Sequence, residues 1–411
     1  MKTSDSPQAT QTVAAPRDCS YSQELNIQQT LIVVGKMSPP IFSCLLDFST
    51  VGAFKVCFID THQKTPPLSS KLFNSFEWLS YQNSWSDCLL RLAATSEQDI
   101  YVTCVSYFLA KKIRAMKIKN IDLIYATDTQ IALAEDKQLQ NKLAEKNNLA
   151  VLPSWYVSPG IKIPDDIHYP AVIRPISELS KADFKVEVID SPQQLQRFSD
   201  KYPVVVQPLL TGRKLLIHCA RNAENQTIVS IYEVTASFQG LTLALRNMQN
   251  PPAVVITSCI DMLKDINFIG VCHFEIIEGK NEWFFLDLNL RLGGTTNKVR
   301  FLDNHEGAQL LKAFVNQPLE TPPTHSKIEI TNKLMVLKAL YSIMFRRWTR
   351  IDYPIMPSGK LVIFLLKKII FSRDEIFNFG NIRYSAFKIL QLASLPFSYV
   401  KVRGKTNKGD R

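Results

Sequence analysis

Paired cysteine motifs are missing from the sequence. Its eight cysteines are scattered along 411 residues without a CxxC pair, and most of them lie inside apolar runs. This scatter does not match a disulfide framework or a cysteine zinc site. We therefore expect buried free thiols, a reducing compartment and a cytoplasmic protein.

Long apolar runs are missing as well. No segment reaches the roughly 18 uninterrupted apolar residues that a membrane-spanning helix requires. Residues 1–27 are polar and lack the apolar centre of a signal peptide, so we expect a mobile leader there. With 46% apolar and 21% charged residues, the chain has the composition of a globular protein, and its length predicts two or three domains.

Acidic residues are scarce in one part of the chain. Residues 331–411 contain 16 Lys and Arg but 4 Asp and Glu, so the net charge of +11 belongs to this segment. The segment also has short apolar runs, such as residues 361–366. We weigh a small capping domain with solvated lysines against a surface that contacts an anionic membrane or an anionic substrate. Nucleic acid is not expected, because no helix-turn-helix, zinc or RNA-recognition signature accompanies the charge.

The pattern of short strands and helices predicts α/β and α+β regions. In residues 28–128, strands bounded by turn residues alternate with helices such as residues 85–94, which predicts an open α/β sheet. Its strands are expected at residues 30–34, 54–59, 99–103 and 121–125. A helical stretch from about residue 128 to residue 147 follows. Further strands are expected at residues 171–174, 185–189, 203–207, 214–220, 227–234, 270–277 and 283–291, with helices that begin at Ser191-Pro192 and near Pro252.

A hairpin over residues 270–291 carries the most chemical information. Alternation in its second strand predicts a core face formed by Phe284, Leu286, Leu288 and Leu290, and an opposite face formed by Phe285, Asp287, Asn289 and Arg291. Folding the hairpin near residue 280 places Glu275 opposite Asp287 or on the adjacent diagonal.

Two carboxylates and an amide then converge, and these oxygen ligands suit Mg²⁺. The alternative is a solvent-facing strand with ordinary polar alternation. Glu275 and the Gly293-Gly294 pair that follows argue against this alternative, since solubility requires neither.

In these residues the sequence resembles the ATP-grasp superfamily, of the carboxylate–amine ligase and carbamoyl-phosphate-synthetase-like kind. The resemblance covers about residues 28–320. It implies a Rossmann-like pre-ATP-grasp domain at 28–128, an ATP-grasp domain at 129–325 with subdomains at about 129–205 and 206–325, and a basic C-terminal domain at 326–411. It also implies that Glu275, Asp287 and Asn289 bind Mg²⁺ or Mn²⁺, and that Asn289 and Arg291 are catalytic.

The resemblance extends to residues that would bind ATP. Lys137 lies in an Asp-Lys pair at a helix start, Arg174 takes the basic position of the phosphate-binding strand, and Gln207 lies in the strand beside the adenine. The family commonly has a glycine-rich loop after the phosphate-binding strand, whereas residues 176–182 contain no glycine. Ser177 and Lys181 would take over its role as hydrogen-bond donors.

The resemblance implies a reaction without a side-chain nucleophile. ATP phosphorylates a small-molecule carboxylate, and a small-molecule amine attacks the acyl phosphate to give an amide, ADP and phosphate. The absence of a GxSxG elbow agrees with this. His273 as a base for the amine, and Arg300 and His305 as ligands of the substrate carboxylate, are weighed against structural roles.

Two other functions stay open at this point. One is a regulatory protein that binds ATP without turnover, and the other is an ATP-grasp carboxylase or kinase. A homo-oligomer is also left open.

Overall fold

The structure, a computed structural model, describes residues 29–52, 54–62, 76–176, 186–238, 241–248, 250–323, 327–345 and 354–375. Within these ranges the strands form three sheets. The predicted leader and two predicted phosphate ligands, Ser177 and Lys181, lie outside the described residues.

A parallel five-stranded sheet opens the fold. Its strands are β1 (Gln29–Gly35), β2 (Phe54–Asp60), β3 (Phe76–Trp78), β4 (Ile100–Cys104) and β5 (Ile121–Leu123), and its helices are α1 (Pro39–Phe48), α2 (Trp85–Thr95) and α3 (Tyr107–Ala115). The strand order is β3-β2-β1-β4-β5, which confirms the predicted open α/β sheet. The continuous apolar run of β1 suits a central strand that is covered on both faces.

The helical stretch predicted over residues 128–147 consists of two helices. They are α4 (Asp128–Glu135) and α5 (Lys137–Lys146). The two helices are separate because Asp136 has an extended backbone, with φ −108° and ψ 110°, and its carboxylate accepts hydrogen bonds from the first turn of α5. Asp136 is therefore an N-cap, and Lys137 begins a new helix.

A four-stranded antiparallel sheet follows. The elements in this part of the chain are β6 (Ala150–Val151), β7 (Trp155–Val157), β8 (Ala171–Pro175), β9 (Glu187–Ile189), α6 (Pro192–Ser199) and β10 (Val204–Pro208). The sheet order is β7-β10-β8-β9. Ser191 caps α6 by accepting a hydrogen bond from the Gln194 N–H, and Pro192 follows it, as the sequence predicts.

An eight-stranded central sheet completes the described fold. Its remaining elements are β11 (Lys214–Arg221), β12 (Thr227–Phe238), β13 (Leu241–Asn247), α7 (Ala253–Asp265), β14 (Gly270–Glu278), β15 (Trp283–Asn289), α8 (Thr296–Arg300), α9 (Glu306–Phe314), β16 (Glu329–Thr331), α10 (Lys333–Met344), α11 (Ser358–Phe371) and β17 (Arg373–Asp374). The order is β17-β16-β13-β12-β11-β14-β15-β6. Two short strands beyond residue 325 thus extend this sheet, while the division of the chain into domains stays a prediction.

The first sheet and the central sheet share one hydrophobic core. Val102 of β4 and Tyr107 of α3 belong to the same buried cluster as Phe274 and Leu288 of the central sheet. The seven described cysteines are buried and free of disulfides, which confirms the prediction for those positions. None of the helices in the described ranges is both long and apolar enough to cross a membrane.

A buried carboxylate joins α1 to α8 and α9. Asp47 is fully buried, and its Oδ1 lies 2.7 Å from Arg300 Nε and 2.9 Å from His305 Nδ1. Its Oδ2 accepts a hydrogen bond from the Gly307 N–H at 3.2 Å. The two side chains that we weighed as ligands of a substrate carboxylate thus bind a carboxylate of their own chain.

This contact makes part of the stability depend on pH. The hydrogen bond to Asp47 raises the pKa of His305 above its ordinary value of 6.5. The stabilisation is therefore fully present below pH 6.5 and is lost as the pH rises through the raised value. We expect His305→Gln to lower the melting temperature more at about pH 6 than at about pH 8.5.

The matched control is His62→Gln, which changes an exposed histidine of the first unit. Equal losses for His305→Gln at both pH values would contradict the role of the Asp47 contact.

Candidate functional site

The hairpin of β14 and β15 brings the predicted metal ligands together. The strands pair antiparallel, with Glu275 opposite Asp287 and His273 opposite Asn289. Folding of the hairpin near residue 280 predicted Glu275 opposite Asp287 or on the adjacent diagonal, and the structure shows the direct pairing. A hydrogen bond of 2.8 Å from the Gly279 N–H to the Glu282 carbonyl closes the turn.

A β-bulge changes the faces of β15. Leu286 has no partner on β14, because its neighbours in the sequence pair with consecutive residues of that strand. An extra residue inverts the alternation of side chains. Phe285 therefore joins Leu288 in the main core, while Phe284 and Leu286 pack with Ile277 in a separate cluster. The prediction that Leu286 faces the main core and Phe285 the polar side is wrong for this reason.

Each of the two carboxylates is paired with a lysine from another element. Lys137 of α5 contacts Asp287, and Lys214 of β11 lies 2.7 Å from Glu275. Burial opposes ionisation of Glu275, and Asp287 repels its charge. Lys214, with help from Arg174, nevertheless holds the pKa of Glu275 below its usual value.

Gln140 fixes α5 against β15. Its side-chain oxygen accepts a hydrogen bond from the Leu288 N–H at 3.0 Å, and its amide donates to the Leu288 carbonyl at 3.3 Å. The same amide donates to the Ala134 carbonyl at 2.6 Å. Because Gln140 is fully buried, these contacts hold Lys137 in place beside Asp287.

Arg174 and Gln207 supply buried polar atoms from the four-stranded sheet. Arg174 donates to the carbonyl of the bulged Leu286 at 3.3 Å, and its Nε is buried with no hydrogen-bond partner among the described residues. Gln207 donates to the Ser154 hydroxyl at 3.0 Å, and its Oε1 is likewise buried with no partner in the described ranges. Each side chain thus offers a buried polar atom to a ligand.

An apolar cluster lies at the same end of the hairpin. Leu152, Ile277 and Leu286 are buried there, with Leu210 and Phe284 packed against them. The loops after β6 and β10 thus meet β14 and β15 at an apolar surface.

Arg291 and His273 lie at the other end of the polar face. The Arg291 guanidinium lies 5.2 Å from the ring centroid of Tyr107. The ring of His273 stacks on His218 at 5.4 Å. A Cβ at position 293 would lie 2.4 Å from His273 Cε1, so Gly293 is required for this close approach.

His273 is therefore a weak base. Burial, followed by the neighbouring His218, lowers its pKa to about 4. The imidazole is neutral at physiological pH and has little tendency to take a proton from an amine.

Comparisons with known proteins bear on this geometry. No protein-family model matches the chain. The chain is 23% identical to the carbamoyl phosphate synthase large chain of Pyrococcus furiosus over 231 residues, which are 52% of this chain and 21% of that protein. It thus spans about one fifth of the length of that curated relative.

Solved structures match a larger share of the chain. An ADP complex of N5-carboxyaminoimidazole ribonucleotide synthetase matches with a TM-score of 0.63 at 11% identity, covering 84% of this chain and 97% of that one. The L-amino acid ligase of Bacillus licheniformis matches with a TM-score of 0.55 at 13% identity, covering 70% and 74%. A biotin carboxylase domain of Hydrogenobacter thermophilus 2-oxoglutarate carboxylase, with MgADP and bicarbonate, matches at 0.55 and 12% identity, covering 69% of each.

The chain has the ATP-grasp fold. The resemblance drawn from the hairpin motif is thereby confirmed, and the order of the three sheets agrees with it. In this fold Lys137 and Asn289 both contact Asp287, and Lys214 contacts Glu275. The roles assigned to these residues stay predictions.

The side-chain oxygens of the hairpin fit Mg²⁺ only when a bound ligand supplies further oxygens. Within the described residues, no group of three or more His, Cys, Asp or Glu is arranged to bind a metal. The hairpin offers two carboxylates and the Asn289 amide. The amide nitrogen of Asn289 donates a hydrogen bond to Asp287 Oδ2 at 3.2 Å. Mg²⁺ commonly binds one or two carboxylates and takes its other ligands from water and phosphate oxygens. Glu275, Asp287 and Asn289 match that pattern.

Sequence reasoning missed two residues of this candidate site. Lys214 gives no local signal, because its pairing with Glu275 depends on β11 lying beside β14. Gln140 lies in a helix of ordinary polar composition. The helix start expected at the Asp-Lys pair is observed, with Asp136 as the N-cap of α5.

Removal of Lys214 tests the charge balance of the site. Lys214→Met leaves a partly buried carboxylate without its cation, so we expect the free energy of unfolding to fall by about 1–3 kcal/mol at about pH 8. The pKa of Glu275 is lowered in the wild type, so its stabilisation is present above pH 4.5 and is lost below it. The loss caused by Lys214→Met should therefore shrink as the pH falls below 4.5.

Urea unfolding at several pH values measures this effect. Lys146→Met removes an exposed ion pair with Asp265 and should cost about 1 kcal/mol or less. The double variant Lys214→Met/Glu275→Gln should recover most of the loss. No recovery in the double variant would show that Lys214 stabilises the fold by packing alone.

Proposed function

We propose that the protein is an ATP-dependent carboxylate–amine ligase. In the first step, a carboxylate oxygen of the acid substrate attacks the γ-phosphorus of ATP, the bond to the bridging oxygen breaks, and ADP leaves. The amine nitrogen then attacks the carbonyl carbon of the acyl phosphate, phosphate leaves, and the amine proton passes to solvent. The products are an amide or peptide bond, ADP and phosphate.

The paired carboxylates amid an excess of cations carry this proposal. Lys137, Lys214 and Arg174 surround Glu275 and Asp287, and Arg291 lies two residues beyond the end of β15. Such a set of charges would hold a polyanion together with a divalent cation. When bound there, Mg²⁺ would neutralise charge on the phosphate oxygens through Glu275, Asp287 and Asn289.

The other residues divide between the nucleotide and the reacting groups. The Gln207 Oε1 can accept a hydrogen bond from an amino group, and the apolar cluster of Leu152, Ile277 and Leu286 would cover the base. Lys137 and Arg174 would bind the phosphates, and Arg291 would bind the transferring phosphoryl group. The reaction then depends on position and charge rather than on a side-chain nucleophile.

Carboxylation is a second candidate. The match to N5-carboxyaminoimidazole ribonucleotide synthetase covers 97% of that chain, more than the 74% for the L-amino acid ligase. Bicarbonate would then take the place of the organic carboxylate. The same phosphate-binding residues would serve either acid.

Release of ADP and phosphate tests the proposal directly. We expect the purified full-length protein to release both from ATP and Mg²⁺ only when an acid and an amine are present together. Pools of amino acids and small carboxylic acids, with and without bicarbonate, supply the acids. The variant Asp287→Asn/Asn289→Ala should lower the rate at least about 100-fold, because it removes two of the three metal ligands.

The matched control is Asp261→Asn, which alters an exposed carboxylate on α7. Release that needs bicarbonate but no organic acid would favour carboxylation. Tight ATP binding without release in any pool would contradict a ligase and favour the regulatory function.

Nucleotide binding gives a separate prediction. Arg174→Gln should raise the Kd for ATP about 10- to 100-fold, since a charged hydrogen bond contributes about 1.5–3 kcal/mol. Isothermal titration calorimetry measures this change. The control is Arg197→Gln, which changes an exposed arginine of α6. Unchanged ATP affinity in Arg174→Gln would remove Arg174 from the phosphate site.

A further inference from the structure

Exposed apolar side chains are concentrated on two neighbouring helices. The described residues expose 16 large apolar side chains, and nine of them lie between Leu337 and Phe371. They are Leu337, Tyr341, Met344, Phe345, Ile355, Ile363, Leu366, Ile370 and Phe371. Exposure reaches 66% at Ile370 and 80% at Phe371. Single exposed apolar residues are ordinary, but a concentration of this kind marks an interaction surface.

These residues form one stripe along each helix. Leu337, Tyr341, Met344 and Phe345 follow the helical spacing on α10, and Ile363, Leu366, Ile370 and Phe371 follow it on α11. We call these eight residues the outer stripes.

The opposite sides of both helices are buried. Val336, Ala339, Leu340 and Ile343 of α10 and Leu361 and Leu365 of α11 share one core with residues of β12 and β13. Both outer stripes therefore point away from the central sheet. Removal of an outer side chain leaves that core intact.

The charge on the same two helices has one sign. Neither α10 nor α11 contains an acidic residue. Lys338, Lys360 and Lys367 lie among the exposed residues of these helices. Within the described part of the chain, neither Lys360 nor Lys367 forms an ion pair, whereas Lys368 on the inner side contacts Glu329. The surface is thus both apolar and positively charged.

We infer that the outer stripes bind the surface of an anionic membrane. Apolar side chains would enter the boundary between headgroups and acyl chains, and the lysines would contact anionic headgroups. Neither helix reaches across a bilayer, so the contact is peripheral.

Charge complementarity favours lipid over a second copy of the chain and over residues 376–411. A second copy of the chain would bring the same lysines face to face, which opposes a self-complementary interface. Residues 376–411 contain seven Lys and Arg and one Asp, so they too have the sign of the surface rather than its opposite. Only an anionic and partly apolar surface complements both features.

Vesicle flotation of the full-length protein tests this inference. We expect the protein to float with phosphatidylcholine vesicles that contain phosphatidylserine, to float less as salt is raised, and to remain behind with phosphatidylcholine alone. Ile370→Ser/Phe371→Ser should weaken binding at least about tenfold, because two side chains no longer enter the lipid. Lys360→Gln/Lys367→Gln should weaken it about 20-fold and reduce the salt dependence.

The matched control is Leu90→Ser/Val254→Ser, which removes two exposed apolar side chains outside this surface. Melting temperatures of all variants should stay near that of the wild type, since every altered side chain is exposed. Equal flotation with both kinds of vesicle, or unchanged flotation of the Ile370/Phe371 variant, would overturn the inference. Dimerisation in sedimentation velocity that the same variant abolishes, without vesicle binding, would also overturn it and assign the surface to a second copy.

Discussion

Two carboxylates that face each other across a hairpin are the constraint on which the rest of the site depends. Directly opposite residues on neighbouring strands have Cβ atoms about 4.5–5.5 Å apart, so the charges of Glu275 and Asp287 repel each other. Lys214 and Lys137 relieve that repulsion from two other elements, a strand and a helix. Because a partly buried carboxylate without a partner is costly, β11, α5 and the hairpin are held together by charge as well as by packing.

The edge of β15 imposes a second requirement. Its outer neighbour, β6, pairs with Phe284 and Phe285, and the strand continues beyond that pairing to Asn289. Backbone groups past the pairing need other partners. Gln140 of α5 binds both the N–H and the carbonyl of Leu288, and the Tyr107 hydroxyl accepts from the Leu290 N–H at 2.7 Å. Side chains of two helices thus form the backbone hydrogen bonds that a neighbouring strand would otherwise form. The contacts of Gln140 also place α5, with Lys137, beside the carboxylates.

The sequence predicted what depends on local pattern. Apolar runs and turn residues predicted the open sheet and four of its five strands, but not β3. Folding of the hairpin near residue 280 predicted Glu275 opposite Asp287 or on the adjacent diagonal, and the first of these two positions is the one observed. What depends on long-range contacts was out of reach. The bulge at Leu286 arises from register with β14, and the partner of Arg300 and His305 proved to be Asp47, more than 250 residues earlier. Ordinary local spacing carries no signal for either contact.

The two positively charged regions differ in their surroundings, and this difference decides what each one can bind. In the hairpin site, Lys137 and Lys214 are partly buried and paired with carboxylates, so a ligand gains most when it brings phosphate for the lysines and a cation for the carboxylates. On α11, Lys360 and Lys367 are exposed beside the outer stripes. A small anion would satisfy those lysines but leave the apolar side chains in water. The net charge of +11 therefore says little about the hairpin site, where the arrangement of a few paired charges matters more than their sum.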